Sequence, residues 1–216
     1  MSEITEKFDT IKKLLKHISP SLKHDYECME QVKSVIQLID QLNTTNIIAQ
    51  GVSHAYLTKM VKCFPRELKN NFQGVYALDE VEIEEINSRS DISEWFIVIN
   101  LATKKALHNG KIGHYILFFH KNNKYFYVDP LGKDPKSLYI LSQLACTEKK
   151  CYVNKLTIQS QFSNYCGLYC LFFMLFFFYE KNKLEDLDNY FVHGDTDNMN
   201  ENRAFNYIKM CINKMF

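Results

Sequence analysis

The stretch LYCLFFMLFFFY, residues 168–179, contains no charged side chain and no helix-breaking residue. A helix that is apolar all round must be buried all round. A dozen residues fall short of the ~20 that a bilayer span requires. The run is therefore expected to be the central helix of a globular core, with no membrane association. Polar residues and the step Cys166-Gly167 come directly before it. That order puts a thiol in the first turn of the helix, where the positive end of the helix dipole favours the thiolate. Gly167 allows another backbone to approach closely. Cys170, one turn further into the run, fits the ordinary fate of a buried thiol as a small hydrophobe.

The remaining chain divides in two. Ile4, Phe8, Ile11, Leu15 and Ile18 recur at helical spacing and stop at Ser19-Pro20. Leu22, Met29, Val32, Ile36, Ile39 and Leu42 make a second stripe, and a third helix is expected from Ile47 to Cys63. Residues 1–70 thus read as a helical N-terminal region, either an appendage or a flank, and residues 71–216 as the main domain. Within the latter, 95–101 reads as a buried strand. Residues 114–120 and 125–129 read as a hairpin around a polar turn, Lys121–Lys124. A weaker strand is expected over Tyr152–Ile158, and a terminal amphipathic helix carries Phe205, Ile208 and Ile212. The expected class is α+β: a small central mixed or antiparallel sheet packed against the buried helix.

The hairpin allows a geometric test. With Lys121–Lys124 as the loop, Asp129 lies opposite Ile116, and His114 is two residues from Ile116 on the same strand. His114 and Asp129 then share one face as diagonal neighbours, about 7–8 Å apart. Side chains of this length close that gap, whereas a one-residue slip would send them to opposite faces. Read alone, the pair could be a strand start and an ordinary Asp-Pro turn. Cys166 adds what is missing for nucleophilic catalysis: an imidazole activates the thiol and a carboxylate orients the imidazole. Gln159 supplies a side-chain amide that, with the backbone N–H of Cys166, could stabilise a tetrahedral oxyanion.

Charge and cysteine usage exclude other classes. Lys and Arg total 26 against 25 Asp and Glu, a formal net charge of +1, which argues against strong DNA binding. The seven cysteines, Cys28, Cys63, Cys146, Cys151, Cys166, Cys170 and Cys211, are odd in number and form no CxxC pair. No His or Cys cluster stands ready to complete a zinc site, so neither metal nor other cofactor is expected. The first residues are polar and lack the apolar core of a signal peptide, so a reducing compartment is expected and secretion is not.

These residues resemble the adenain family, that of the adenovirus protease, and the wider clan that includes ubiquitin-like-protein proteases. The family places a His at a strand start before an aromatic, as in His114-Tyr115. Its carboxylate precedes Pro-x-Gly, as in Asp129-Pro130-Leu131-Gly132, although adenain itself has Glu there. Its oxyanion Gln stands seven residues before the nucleophile, as Gln159 does. Its nucleophile heads a Cys-Gly-Leu-aromatic-Cys helix, as in Cys166–Cys170. Segments Ile97–Asn100 and Gly74–Tyr76 are also similar, and the likeness covers roughly residues 70 to 180.

The resemblance implies a cysteine endopeptidase that processes capsid or core precursors during virion maturation, at small or Gly-containing sites. Its expected setting is the virion and the cytoplasm or virus factory of the host. It also implies activation by DNA and by a disulfide-linked viral peptide. Cys151 lies in the region of the peptide-linking cysteine but at a different distance from Gln159, so the residues do not support a peptide activator. The same parts would serve a protease of ubiquitin-like modifiers. A rival of another class is a non-catalytic binding module that kept the fold.

Overall fold

Five strands, Phe72–Ala77 (β1), Trp95–Asn100 (β2), Tyr115–Lys121 (β3), Lys124–Val128 (β4) and Cys151–Val153 (β5), form one sheet in that spatial order. The outer pairs β1–β2 and β4–β5 are parallel, and the inner pairs β2–β3 and β3–β4 are antiparallel. The class is α+β with a mixed sheet. The computed structural model describes residues 30, 54–88, 93–111, 113–135, 151–161, 163–194 and 199–215. The N-terminal stripes ending at Ile18 and Leu42 lie outside the described residues, Glu30 apart, as do positions 47–53 of the expected third helix.

Strand β2 is buried at every position. Phe96 and Val98 face one core, while Trp95, Ile97 and Ile99 face another. A strand covered on both sides reads as a continuous apolar run because neither face meets water. The smaller core is completed by Val81, Ile83 and Ile86, the last two from the short helix Ile83–Ser88. The larger core holds the apolar run, an α-helix over Cys166–Met174 that continues as a π-helical turn over Leu175–Tyr179. Every residue from Cys166 to Phe178 is buried. Among the described residues no helix is long and apolar enough to cross a membrane.

Two elements close that core. The helix Met199–Met215 contributes Phe205, Ile208 and Ile212, as its stripe predicts. The helix His54–Cys63 contributes Leu57, Met60 and Val61, and Leu68 follows from Arg66–Asn71. These residues belong to the same core as the sheet. Aromatic geometry gives specificity to an otherwise uniform interior. Phe172 meets Phe191 and Tyr207 edge-on, each with centroids 4.8 Å apart, and Phe119 stacks on Phe126 at 4.6 Å.

The hairpin register is the expected one: Leu117 pairs with Val128 and His120 with Tyr125. The loop is shorter than expected. Lys121 and Lys124 pair with each other, leaving a two-residue turn, Asn122-Asn123, with φ of 52° and 58°. Two positive φ values mark the turn that matches strand twist, and Asn is among the few residues that tolerate them. The strand expected over Tyr152–Ile158 is also shorter. Only Cys151–Val153 pairs as β5. Beyond it, the Asn154 N–H still meets the Tyr127 carbonyl of β4, and the rest of 154–159 bonds to the Pro130 carbonyl, to the Gly194 N–H and to side chains.

Candidate active site

His114 lies immediately before β3. Its carbonyl accepts the Leu101 N–H at 2.8 Å, extending the pairing with β2 by one step. The preceding residue passes so close to β2 that a Cβ on Gly113 would overlap the side-chain amide of Asn100. Asn100 is itself buried and accepts the Ala102 N–H through Oδ1 at 2.9 Å. A side chain at 113 would have to displace the Asn100 amide from the Ala102 N–H, and the close approach delivers the imidazole to the end of the sheet.

Asp129 lies one residue beyond β4 and is fully buried. Its Oδ1 accepts the His114 Nε2–H at 2.6 Å and the Leu131 N–H at 2.7 Å. The backbone folds into a turn, with Gly132 N–H on the Asp129 carbonyl at 2.9 Å. Gly132 has φ 62°, and a Cβ there would press on the Leu156 carbonyl at 3.0 Å. Asn154 brackets the aspartate: its Oδ1 accepts the Asp129 N–H at 2.7 Å, and its Nδ2 donates to the Asp129 carbonyl at 2.8 Å. The carboxylate is thereby fixed through its backbone as well as through its own oxygen.

With Nε2 committed to Asp129, Nδ1 is the ring nitrogen left for a second partner. Burial disfavours the imidazolium, but hydrogen bonding and charge from Asp129 and Cys166 outweigh that cost and raise the His114 pKa to about 9. Cys166 therefore acts on the same ring as Asp129. It heads the buried helix and is itself buried, 8% exposed. Cys170 differs: burial, then the charges of Cys166 and Asp129, push its thiol well above the usual range, and it is an inert part of the core. Burial also lifts Cys151 to about 11, so that thiol stays protonated at neutral pH.

Gln159 is buried, with its Nε2 donating to the Ser163 carbonyl at 2.7 Å. A primary amide carries two N–H donors, so one remains. Its Oε1 is buried with no hydrogen-bond partner among the described residues. The backbone N–H groups of Ile158 and Gln159 both donate to the Pro130 carbonyl at 2.9 Å. The turn that presents Asp129 thus also anchors the segment that presents Gln159.

The structure joins His114 to Asp129 directly and brings Cys166 to the same imidazole. Gln159 is linked to them through Pro130, and its amide bonds Ser163, not the other three. The supporting asparagines, Asn100 and Asn154, were not singled out from the sequence. Asn100 lies in the already noted segment Ile97–Asn100, where it closes an apolar run, whereas Asn154 falls inside the expected strand Tyr152–Ile158 and nothing local marks it. Chemically, the arrangement can hold a thiol, a base oriented by a carboxylate, and an amide donor at the end of one sheet. Among the described residues no three His, Cys, Asp or Glu side chains cluster as a metal ion would need. No protein-family model matches the chain, and no curated protein matches it significantly.

Proposed function

We propose that the protein is a cysteine endopeptidase of the adenain kind, with Cys166 as nucleophile, His114 as general base and acid, Asp129 as orienting carboxylate and Gln159 as oxyanion donor. Its proposed substrates are structural precursor proteins cleaved during virion maturation, at bonds flanked by small residues such as Gly. The observation that carries this reading is the 2.6 Å bond from His114 Nε2 to Asp129 Oδ1, on an imidazole that also responds to Cys166.

The chemistry follows from those contacts. Nδ1 of His114 takes the thiol proton, and Asp129 stabilises the resulting imidazolium. The thiolate attacks the scissile carbonyl. The oxygen that gains charge is met by the Cys166 backbone N–H, at the positive end of the helix, and by the free Nε2 proton of Gln159. The imidazolium then returns its proton to the departing amine, leaving a thioester on Cys166. His114 next draws a proton from water, whose oxygen attacks the thioester. Collapse of that second adduct releases the acid and restores the thiol.

The decisive test is labelling with a peptide aldehyde ending in glycinal, followed by mapping of the modified residue. A modified Cys166, protected in His114→Ala, is the expected result; modification elsewhere or none overturns the reading. Parallel incubation with a capsid precursor and with a Gly-Gly-linked modifier conjugate assigns the substrate. Cleavage of the conjugate alone would move the protein to the modifier-protease class.

A further inference from the structure

Two side chains from different helices converge on the carbonyl of Ile158, the backbone oxygen directly before Gln159. Tyr169, on the helix headed by Cys166 and three residues after it, donates its hydroxyl at 3.0 Å. Asn200, in the first turn of helix Met199–Met215, donates Nδ2 at 3.0 Å. Both residues are fully buried. The nitrogen of the same peptide unit, that of Gln159, donates to the Pro130 carbonyl at 2.9 Å. The Ile158–Gln159 peptide is therefore gripped at its oxygen by two donors and at its nitrogen by one acceptor. Rotation of that plane, which would swing the Gln159 side chain, breaks at least one of these bonds. Asn200 is in turn locked on Val192, accepting its N–H at 2.9 Å and donating to its carbonyl at 2.6 Å.

A phenylalanine at position 169 would satisfy the core equally well, since the surrounding helix is built of Leu and Phe. A hydroxyl buried there has to be bonded to offset its desolvation. Its partner is the one carbonyl whose position sets the root of Gln159. We infer that Tyr169 and Asn200 are positioning residues of the oxyanion site, fixing the Gln159 amide relative to the helix that carries the thiol. The inference rests on reading Cys166 as nucleophile and Gln159 as oxyanion donor. Sites of this type tolerate displacements of only about 0.5 Å, so a strut one helical turn from the nucleophile is well placed to set that distance.

The test uses the full chain, the variants Tyr169→Phe, Gln159→Ala and their double, and two probes. A glycinal-ending peptide aldehyde adds to the thiol: a C–S bond forms, the carbonyl π bond opens, and the thiol proton ends on the oxygen that occupies the oxyanion site. Iodoacetamide alkylates the thiolate with loss of iodide and places no oxyanion there. Tyr169→Phe keeps the ring, and Asn200 keeps the Ile158 carbonyl bonded, so the variant is expected to fold. Losing one such bond should weaken aldehyde affinity by about two- to tenfold. The alkylation rate should stay within about twofold, and in the Gln159→Ala background Tyr169→Phe should have no further effect. An equal effect in that background, or a parallel fall in alkylation, overturns the inference. Unchanged aldehyde affinity in Tyr169→Phe, with the wild-type adduct forming on Cys166, overturns it alone. A wild type that forms no adduct overturns the peptidase reading, and this inference with it.

Discussion

The His114–Asp129 pair is set by the register of one hairpin, with Asn154 bracing the Asp129 backbone from outside it, whereas the Cys166–Gln159 arm has no such pairing and is held only by bonds between separate segments. In the first arm, register places the two side chains, and the bond between them spans 15 positions. In the second, the peptide before Gln159 takes donors from Tyr169, 11 positions away, and Asn200, 42 positions away, besides its tie to Pro130. A pairing pattern is robust because many backbone bonds would have to break together for it to slip. A site held by single tertiary bonds yields piecemeal. The local arm should therefore respond to substitution in an all-or-none way, and the tertiary arm in steps.

The largest effects are expected where a reacting group is removed. Cys166→Ala and His114→Ala should each lower kcat on a fluorogenic Gly-ending peptide by about 10⁴-fold or more. Thermal melts should show both variants folded. Cys170→Ala should retain turnover and lose stability, since the residue is fully buried core. Full activity in Cys166→Ala would remove the nucleophile assignment, and with it the contrast between the arms.

A smaller, stepwise loss is expected in the tertiary arm. Gln159→Ala should lower kcat by about 10²–10³-fold with KM little changed, as for loss of one oxyanion donor. Gln161, two positions on and exposed, should be replaceable by Ala without effect. The reverse outcome would shift the amide to the other glutamine and uncouple this arm from the Pro130 tie.

The two arms meet in the ionisation of His114, which makes pH a probe of their coupling. The folded pKa of about 9 lies above the ordinary 6.5. Stability gained from the charged ring is fully present below 6.5 and is lost as pH rises through about 9. In the proposed mechanism the same imidazolium protonates the leaving amine. The basic limb of kcat/KM should therefore fall about tenfold per pH unit above roughly 9. Asp129→Asn removes a partner that raises the pKa and should move that limb to lower pH. A limb unmoved in Asp129→Asn would mean that the carboxylate acts by orientation alone.

The difference between the arms also decided what could be read from the sequence. The helix behind Cys166 is legible because an apolar run too short to span a bilayer has to be buried on every side. The His114–Asp129 pairing was legible because alternation fixes faces and the turn fixes register. The turn is shorter than its composition suggests because Lys121 and Lys124 look like loop residues, yet their backbones still pair. Strand β1 has no clear pattern in the sequence. Gly74, at φ 140°, interrupts its pattern and the register shifts beside it. The segment 154–159 reads as more strand because its residues are strand-like, but past Asn154 its backbone bonds to the Pro130 carbonyl, to Gly194 and to the side chains of His193, Tyr169 and Asn200. Nothing local to Ile158 announces Tyr169 or Asn200 as its partners. Such bonds exist only once the helices are packed.

The smallest expected effect lies in the turn, and it asks whether the local arm depends on the turn or on the pairs. Asn123 sits at φ 58°. A β-branched side chain in that region costs about 1–2 kcal/mol, so Asn123→Val should lower Tm by about 2–8 °C. Asn123→Gly relieves the backbone but adds unfolded-state entropy, two terms of similar size, and should leave Tm within about 2 °C. Neither variant should change kcat/KM at 25 °C by more than about twofold, because five successive pairs from Leu117↔Val128 to Lys121↔Lys124 hold the register without it. Hydrogen exchange should still show the β3–β4 amides protected in Asn123→Val. A folded Asn123→Val protein that has lost its activity would place the register in the turn. The local arm would then be as dependent on single contacts as the tertiary one.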